Sequence, residues 1–471
     1  MLEQTATSLV DMISSGETTA EYVIEQTIKQ IEDTSQIHAF LHVNKGAVQQ
    51  AKEIDRRIKE GRRVGRLAGI PVSIKDNICT KQYPTTCASR MLDGYTPPYD
   101  ATVIRRLLDE DAIIIGKTNM DEFAMGLSTE FSAYGPTLNP HNPDIVPGGS
   151  SGGSAASVAT HTSTISLGSD TGGSVRNPAS FCGVVGFKPT YGMISRYGLI
   201  SYANSIEQIG PMAKSISDIS LCMSVIAGPD RNDNTTAGLT SVLFTDTHDV
   251  AKNPKVGIVR QMASNDNRIQ NVLDKAVERL SAHGCTCEEV SLEMVDYSVA
   301  AYYTITSTEA ASNLARYDNI RYGYNMDHTG YEYHQYITKA RAMFGAEVKR
   351  RIIAGGFVPS AGYAGRYFLK ALKVKSRLTR EIDKMFESYD YLISVTVPIL
   401  PFRMGEKVDD PVSMFLVDMN TVTANLTGKP AISIPYGMVD GLPVGVQMMA
   451  NTTEDAKLLQ FAQILEEGHT Q

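Results

Sequence analysis

Tryptophan is absent from the 471-residue chain, which we read as compositional chance. No run of about 18 apolar residues occurs, so the sequence contains no membrane-spanning helix. The first residues, MLEQTATSLVDMISSGE, lack a basic start followed by an apolar stretch and carry Glu3 and Asp11, so they do not read as an export signal. These absences predict a cytoplasmic protein, or an organellar one that has lost a transit peptide. Cysteine is sparse and scattered, at 79, 87, 182, 222, 285 and 287. Only Cys285 and Cys287 are close, and a lone C-x-C pair is a weak zinc signal. Reduced thiols are the expectation. Positive charge is also outnumbered, with 44 Lys and Arg against 52 Asp and Glu. Such a chain is a poor candidate for gripping nucleic acid by itself.

What is present suits a globular core: 42% of residues are hydrophobic, so neither disulfides nor metals are needed as staples. Residues 5–35 read as helix, with Thr18 and Glu21 at capping-box spacing. Residues 37–43 read as a strand and 45–61 as an amphipathic helix ended by Gly61. GIPVSIKDNI (69–78) is a short apolar strand that delivers Lys75 at its end. Helix is expected at 101–110, 267–283, 307–317, 334–354, 366–388 and 453–467. Strands are expected at 112–117, 255–260, 391–398, 431–437 and 441–450. Alternating strands and helices predict an α/β fold with a largely parallel or mixed sheet. The polar stretch 229–254 is the best internal boundary or insertion point.

From Ile145 to Ser169 there is no Asp, Glu, Lys or Arg, and 18 of the 25 residues are Ser, Gly, Thr or Ala. A flexible linker is the simplest reading of such composition. However, AASVAT suits a closely packed helix, and TISLGSD reads as a buried strand. The segment therefore predicts core in which backbones approach each other or a ligand. The glycine-dense stretch 168–200 predicts tightly turned backbone rather than a simple helix. Phosphate cradling is disfavoured by pattern, because no lysine follows either glycine run as a P-loop requires.

Acyl transfer fits better. A glycine turn at Thr171, Gly172, Gly173 and Ser174 exposes a hydroxyl and aims backbone N–H groups at one point, the geometry that holds an oxyanion. A serine nucleophile needs a base. Apart from His161 the nine histidines lie outside this cluster, which leaves lysine, a known substitute in serine hydrolases. To act as a base, Lys75 must lose a proton it ordinarily holds up to pH ~10.4, which requires burial away from carboxylates. The uncharged 145–169 stretch offers that setting, and on a strand Asp76 would point to the opposite face.

These residues resemble the amidase signature family along nearly the whole chain. The resemblance is carried by GIPVSIKDN (69–77), PGGSSGGSAA (147–156), GSDTGGSVRNPA (168–179), GFKPTYG (186–192) and GLPVGVQ (441–447). Within that family the chain looks most like the A subunits of tRNA-dependent amidotransferases, which serve synthesis of Gln-tRNA(Gln) or Asn-tRNA(Asn). MDEFAMG (120–126), EAASNLARYDNIRYGY (309–324), EVKRRI (347–352) and FLVDMNTVTANLTGKPAISIP (415–435) carry that closer likeness.

The resemblance implies one domain over 1–471, a large mixed twisted β-sheet covered by helices on both faces, with a possible helical insertion near 267–388. It implies a Ser-Ser-Lys triad: Ser174 as nucleophile, Ser150 as a bridging serine after a cis peptide bond, and Lys75 as base. Thr171, Gly172 and Gly173 would form the oxyanion hole. Ser151 could instead cap the following helix or bond the nucleophile's loop. Asp170 and Arg176 would be structural supports. Glutamine would be the ammonia donor, with Arg351 on its carboxylate, Asp418 on its amino group and Tyr302 nearby; Arg350 is the alternative to Arg351. No cofactor is implied for this chain. ATP and Mg²⁺ would belong to a kinase-type B subunit, which handles the tRNA, alongside a small C subunit. Two departures stand out: Leu127 replaces a common glycine, and Gly362, Tyr363, Ala364 and Gly365 replace the usual Gly-Tyr-Tyr-Asp. A stand-alone amidase for a small amide is the competing expectation. A non-catalytic scaffold is disfavoured because all three triad residues are present.

Overall fold

Apolar strands and short amphipathic helices alternate along the chain and assemble into one sheet with helices against both faces. The computed structural model describes residues 1–467 apart from 237–243, 245–251, 319, 323–325, 328, 361–365 and 409. Among the described residues the strands are β1 (Phe40–Val43), β2 (Pro71–Lys75), β3 (Ile113–Thr118), β4 (Ile165–Asp170), β5 (Val185–Lys188), β6 (Gln208–Ala213), β7 (Lys255–Val259), β8 (Thr286–Val290), β9 (Tyr391–Val395), β10 (Ala431–Val439) and β11 (Leu442–Met449). Across the sheet they run β1-β3-β2-β4-β6-β5-β10-β11-β9-β7-β8. β2 is parallel to β3 and β4, and β7 to β8 and β9; the remaining neighbours are antiparallel. The sheet is mixed, as the sequence predicts.

The helices are α1 (Ala6–Ser15), α2 (Ala20–Asp33), α3 (Ala47–Lys59), α4 (Thr102–Asp109), α5 (Gly152–Ala159), α6 (Arg176–Cys182), α7 (Ile216–Ile226), α8 (Asn267–Ala282), α9 (Ser298–Leu314), α10 (Tyr333–Arg341), α11 (Ala346–Phe357), α12 (Phe368–Met385), α13 (Pro411–Leu416), α14 (Val422–Thr427) and α15 (Asp455–Glu466). Alternation along the strands sorts them into layers. Val72, Ile74, Ile165, Leu167, Tyr391 and Ile393 enter a core with α1–α4, α7, α8 and α15. Leu392, Ala431 and Met449 enter a second core with α9, α11, α12 and α14.

Several expectations change in detail. The single helix expected over 5–35 is two, because Gly16 takes φ +78° and ends α1. The cap of α2 is Thr19, whose hydroxyl accepts from the Tyr22 N–H at 3.1 Å; Thr18 turns inward instead. The stretch 334–354 is also two helices: α10 ends at Arg341, and α11 starts afresh after Gly345. α9 begins at Ser298, nine residues before the expected 307. The glycine-dense 168–200 stretch holds the short helix α6. Residues 267–388, expected as a helical insertion, also contain β8, which joins the sheet edge. Most of 229–254, and the departure at 362–365, lie outside the described residues. None of the described helices is long and apolar enough to cross a membrane.

Candidate active site

Chemistry begins with the pleat of β2. Val72 and Ile74 face the first core, so Ser73 and Lys75 face the other way, toward α5. Ser73 meets the hydroxyls of Ser157, Ser163 and Ser166 at 2.8–3.0 Å. Lys75 is fully buried at the end of the strand. Its Nζ lies 2.7 Å from Ser150 Oγ, 2.7 Å from Ser151 Oγ and 3.3 Å from the Ser169 carbonyl oxygen. The Gly149–Ser150 peptide is cis. Asp76 turns away: it pairs with Lys117 at 3.2 Å and accepts from the Thr86 N–H at 2.9 Å.

Burial pushes the Lys75 amine down to about 7, against the pull of Asp121 and Asp170. A neutral amine has two hydrogens and one lone pair. Nζ has three oxygen neighbours, so two can accept from it and one must donate to it. The Ser169 carbonyl can only accept. The Ser151 hydroxyl gives its hydrogen to that same carbonyl, at 3.3 Å. Ser150 is therefore the hydroxyl whose hydrogen can point at the lone pair. Ser151 does not cap α5 through its side chain. Instead its hydroxyl braces Lys75 and its N–H donates to the Ser174 carbonyl at 3.2 Å.

Ser174 sits on the turn between β4 and α6 and keeps 5% of its surface exposed. Its hydroxyl has no hydrogen-bond partner among the described contacts. The turn is built around Asp170, whose carboxylate receives the Gly173 N–H at 2.9 Å and the Val175 N–H at 3.2 Å. Arg176 adds Nε and Nη2, each at 3.0 Å, and Asn425 adds Nδ2 at 2.9 Å. Burial alone would raise the Asp170 carboxyl, but Arg176 and Asn425 outweigh it and hold the group at about 2. Arg176 also donates to Gln447 at 2.5 Å and Asn425 at 2.7 Å. The Asp170–Arg176 pair thus clamps the turn.

This corrects the expected oxyanion hole at one position. The Gly173 N–H is already donated to Asp170, so it is not free for an oxyanion. The N–H groups of Thr171, Gly172 and Ser174 have no partner among the described contacts and remain available. Gly173 instead serves the turn through its backbone: its φ is +133°, and a Cβ there would lie 2.2 Å from Thr421 Oγ1. The Thr421 hydroxyl donates to the Gly172 carbonyl at 2.5 Å, which aims that peptide.

Tyr302, buried on α9, comes against the same turn: a Cβ on Gly172 would lie 2.5 Å from its hydroxyl. The residue beside it, Tyr303, donates its hydroxyl hydrogen to Asp418 Oδ2 at 3.1 Å. Asp418 is buried, and its Oδ1 has no hydrogen-bond partner. Burial pushes this carboxyl up, with Tyr303 and Arg351 pulling the other way. Arg351, on α11, is buried among the rings of Tyr202, Tyr303 and Phe415, 5.2–5.8 Å from their centres. It donates to Glu347 at 2.7 Å and to the Tyr202 hydroxyl. Arg350 points outward, with 40% of its side chain exposed, and pairs with Glu347. The structure therefore brings Tyr302, Arg351 and Asp418 together beside the glycine turn and leaves Arg350 at the rim. Leu127, the first departure, packs with Val146, Phe181 and Val417.

Sequence reasoning missed Tyr202, Tyr303, Thr421 and Asn425, which touch the predicted residues directly. Tyr303 carried a usable signal, because a tyrosine adjacent to Tyr302 on a helix buried on several sides also points inward. It missed Asp121 as well, a buried carboxyl near Lys75 that burial pushes up to about 6.

On an α/β sheet, then, a buried lysine bonded to two serines lies beside a clamped glycine turn that presents a third serine, the arrangement the amidase signature resemblance implies. The amidase family pattern matches residues 22–459, and the chain belongs to that family, enzymes that act on amide C–N bonds. A relative from Cenarchaeum symbiosum, named as the A subunit of glutamyl-tRNA(Gln) amidotransferase, is 57% identical over 99% of this chain and 98% of its own length. The crystal structure of the corresponding A subunit from Thermotoga maritima, of the same name, superposes with a TM-score of 0.82 at 36% identity, covering 99% of this chain and 95% of that one. The peptide amidase of Stenotrophomonas maltophilia gives 0.85 at 27% identity, covering 99% and 97%.

Proposed function

We propose that this chain is the glutamine-hydrolysing subunit of an amidotransferase that converts Glu-tRNA(Gln) to Gln-tRNA(Gln). The observation that carries the reading is the placement of buried Arg351 and buried Asp418 about one side chain, Tyr303, beside the turn of Ser174: Arg351 lies over the Tyr303 ring, and Asp418, whose Oδ1 lacks a partner, accepts from its hydroxyl. A guanidinium and a carboxyl group that both reach Tyr303 suit the α-carboxylate and α-amino groups of a free amino acid. The names of the relatives support the tRNA and the place of the chain in a larger complex.

In this reading Ser174 Oγ attacks the side-chain carboxamide carbon of glutamine. Its proton passes to Ser150 as the Ser150 proton passes to Lys75 Nζ. The N–H groups of Thr171, Gly172 and Ser174 hold the oxyanion, each donor worth ~2.7–4 kcal/mol. The C–N bond then breaks, and the relayed proton returns to the leaving nitrogen, which departs as ammonia. Water hydrolyses the glutamyl ester to glutamate and restores Ser174. Ammonia goes to a B subunit that binds the tRNA and activates its glutamate with ATP and Mg²⁺, and a small C subunit makes up the rest of the complex. This chain needs no cofactor of its own, and the setting is cytoplasmic. The net charge of −8 agrees with leaving the RNA grip to the partner.

The test is ammonia release from glutamine by the full chain, alone and with co-purifying subunits. Ser174→Ala should abolish release. Arg351→Ala should raise the glutamine KM roughly 10–100-fold, as expected for loss of a charge-assisted contact. Unchanged KM in Arg351→Ala, with small aliphatic amides hydrolysed as well as glutamine and no need for a partner, would favour the stand-alone amidase.

A further inference from the structure

After β3 the chain passes beneath the active loop as Asn119–Gly126, and two adjacent acids there point to different parts of the site. Asp121 serves the catalytic side. Its N–H donates to the Ser150 carbonyl at 3.2 Å, and its carboxylate receives the N–H groups of Thr129 at 2.9 Å and Phe131 at 3.1 Å. A Cβ on Gly149 would lie 2.3 Å from Asp121 Oδ2, so the carboxylate and the loop are in direct contact.

Glu122 serves the other side. It is 2% exposed, rare for a glutamate. One carboxylate oxygen accepts from the Ser89 hydroxyl, and Oε2 accepts from the Gly345 N–H at 2.7 Å. Gly345 is the residue that opens α11, and a Cβ there would lie 2.4 Å from Oε2. The contact is extended by Phe123, whose ring lies 5.5 Å from that of Phe344 and 5.0 Å from that of Tyr317. α11 then carries Glu347 and Arg351 one turn apart, on the face toward Tyr202 and Tyr303.

We propose that Glu122 is a positioning residue that fixes α11, and hence Arg351, against the segment holding Ser150, so that the carboxylate of the substrate is held at a set distance from the nucleophile. The proposal rests on the glutamine reading above. A buried carboxylate on the first free N–H of a helix sets the helix along its axis. Because Asp121 and Glu122 are consecutive, the two halves of the site share one short rigid connection.

The test compares glutamine with 4-aminobutanamide, which is glutamine without its α-carboxylate, using the full chain with any co-purifying subunits. In Glu122→Ala the glutamine KM should rise about tenfold or more while kcat changes little, as for loss of uniform binding through Arg351. For 4-aminobutanamide kcat/KM should stay within about twofold of wild type. Glu122→Gln, whose carbonyl oxygen accepts from the Gly345 N–H, should restore the glutamine KM. Equal losses on both substrates, or a Glu122→Gln variant as impaired as Glu122→Ala, would overturn the proposal. Should Glu122→Ala not fold, Glu122→Asp, one methylene short of Gly345, gives the same comparison. Absence of ammonia release from glutamine by the wild-type enzyme is a different result and would overturn the glutamine reading instead.

Discussion

In the proposed relay Lys75 must be uncharged where lysine is ordinarily charged. Burial without a carboxylate partner supplies that state, at about 7. Only the unprotonated amine can take a proton from Ser150, so kcat/KM for ammonia release should fall about tenfold per pH unit below 7 and level off above it. A profile flat from pH 5.5 to 8 would contradict this. The same burial has a cost in stability. In the unfolded chain the amine keeps its proton up to pH ~10.4. Between about 7 and that value the unfolded state binds more protons, so this site's contribution to stability improves as pH rises. Lys75→Met should therefore be inactive yet no less heat-stable than wild type at pH 7, as read from thermal midpoints. Lys75 was legible in the sequence because a lysine ending an apolar strand beside an uncharged segment implies burial. Tyr202 and Asn425 were not, since each reaches the site across more than 100 residues of chain and nothing local marks it. The Gly173 N–H escaped for a different reason: its acceptor, Asp170, is only three residues away, but the bond depends on how the turn folds back.

At the scale of elements, the turn between β4 and α6 is held by a buried ion pair rather than by a helix cap. The Asp170 carboxyl titrates at about 2, below the usual range near 3.9, so its stabilisation is complete above about pH 4 and is lost as pH falls through 2. Asp170→Asn leaves Arg176 buried without its counter-charge and should cost roughly 3–5 kcal/mol, measured by denaturant titration. It should also lower kcat, because the Gly173 and Val175 N–H groups lose their anchor. Long apolar runs such as 69–75 and 112–117 were legible as strands from pattern alone. β6 was not, because QIGPMA carries Gly210 and Pro211, which read as breakers. The structure tolerates them because the β5 ladder pairs only Ala213 and Met212, leaving Pro211 beyond it. The break between α1 and α2 falls in SSGETT (14–19), where the apolar pattern lapses around Gly16; reading 5–35 as one helix passed over that signal.

For the whole molecule, the parts of the chain before and after 229–254 meet in the middle of one sheet. β5 pairs with β10, the Arg176 side chain reaches Gln447 at 2.5 Å, and the Thr190 N–H donates to Asp455 at 2.7 Å. The polar 229–254 region was a reasonable boundary by composition, but these contacts tie both sides of it into one core. Fragments 1–232 and 252–471, expressed separately, should lack cooperative unfolding by circular dichroism; two independently cooperative fragments would contradict this. The central claim is that a neutral Lys75 activates Ser174 through Ser150. A fluorophosphonate probe followed by peptide mass spectrometry tests it most directly. A single phosphonylated peptide modified at Ser174 is expected, with labelling lost in Lys75→Met and Ser150→Ala. Labelling at another residue, or undiminished labelling of Ser174 in both variants, would contradict it.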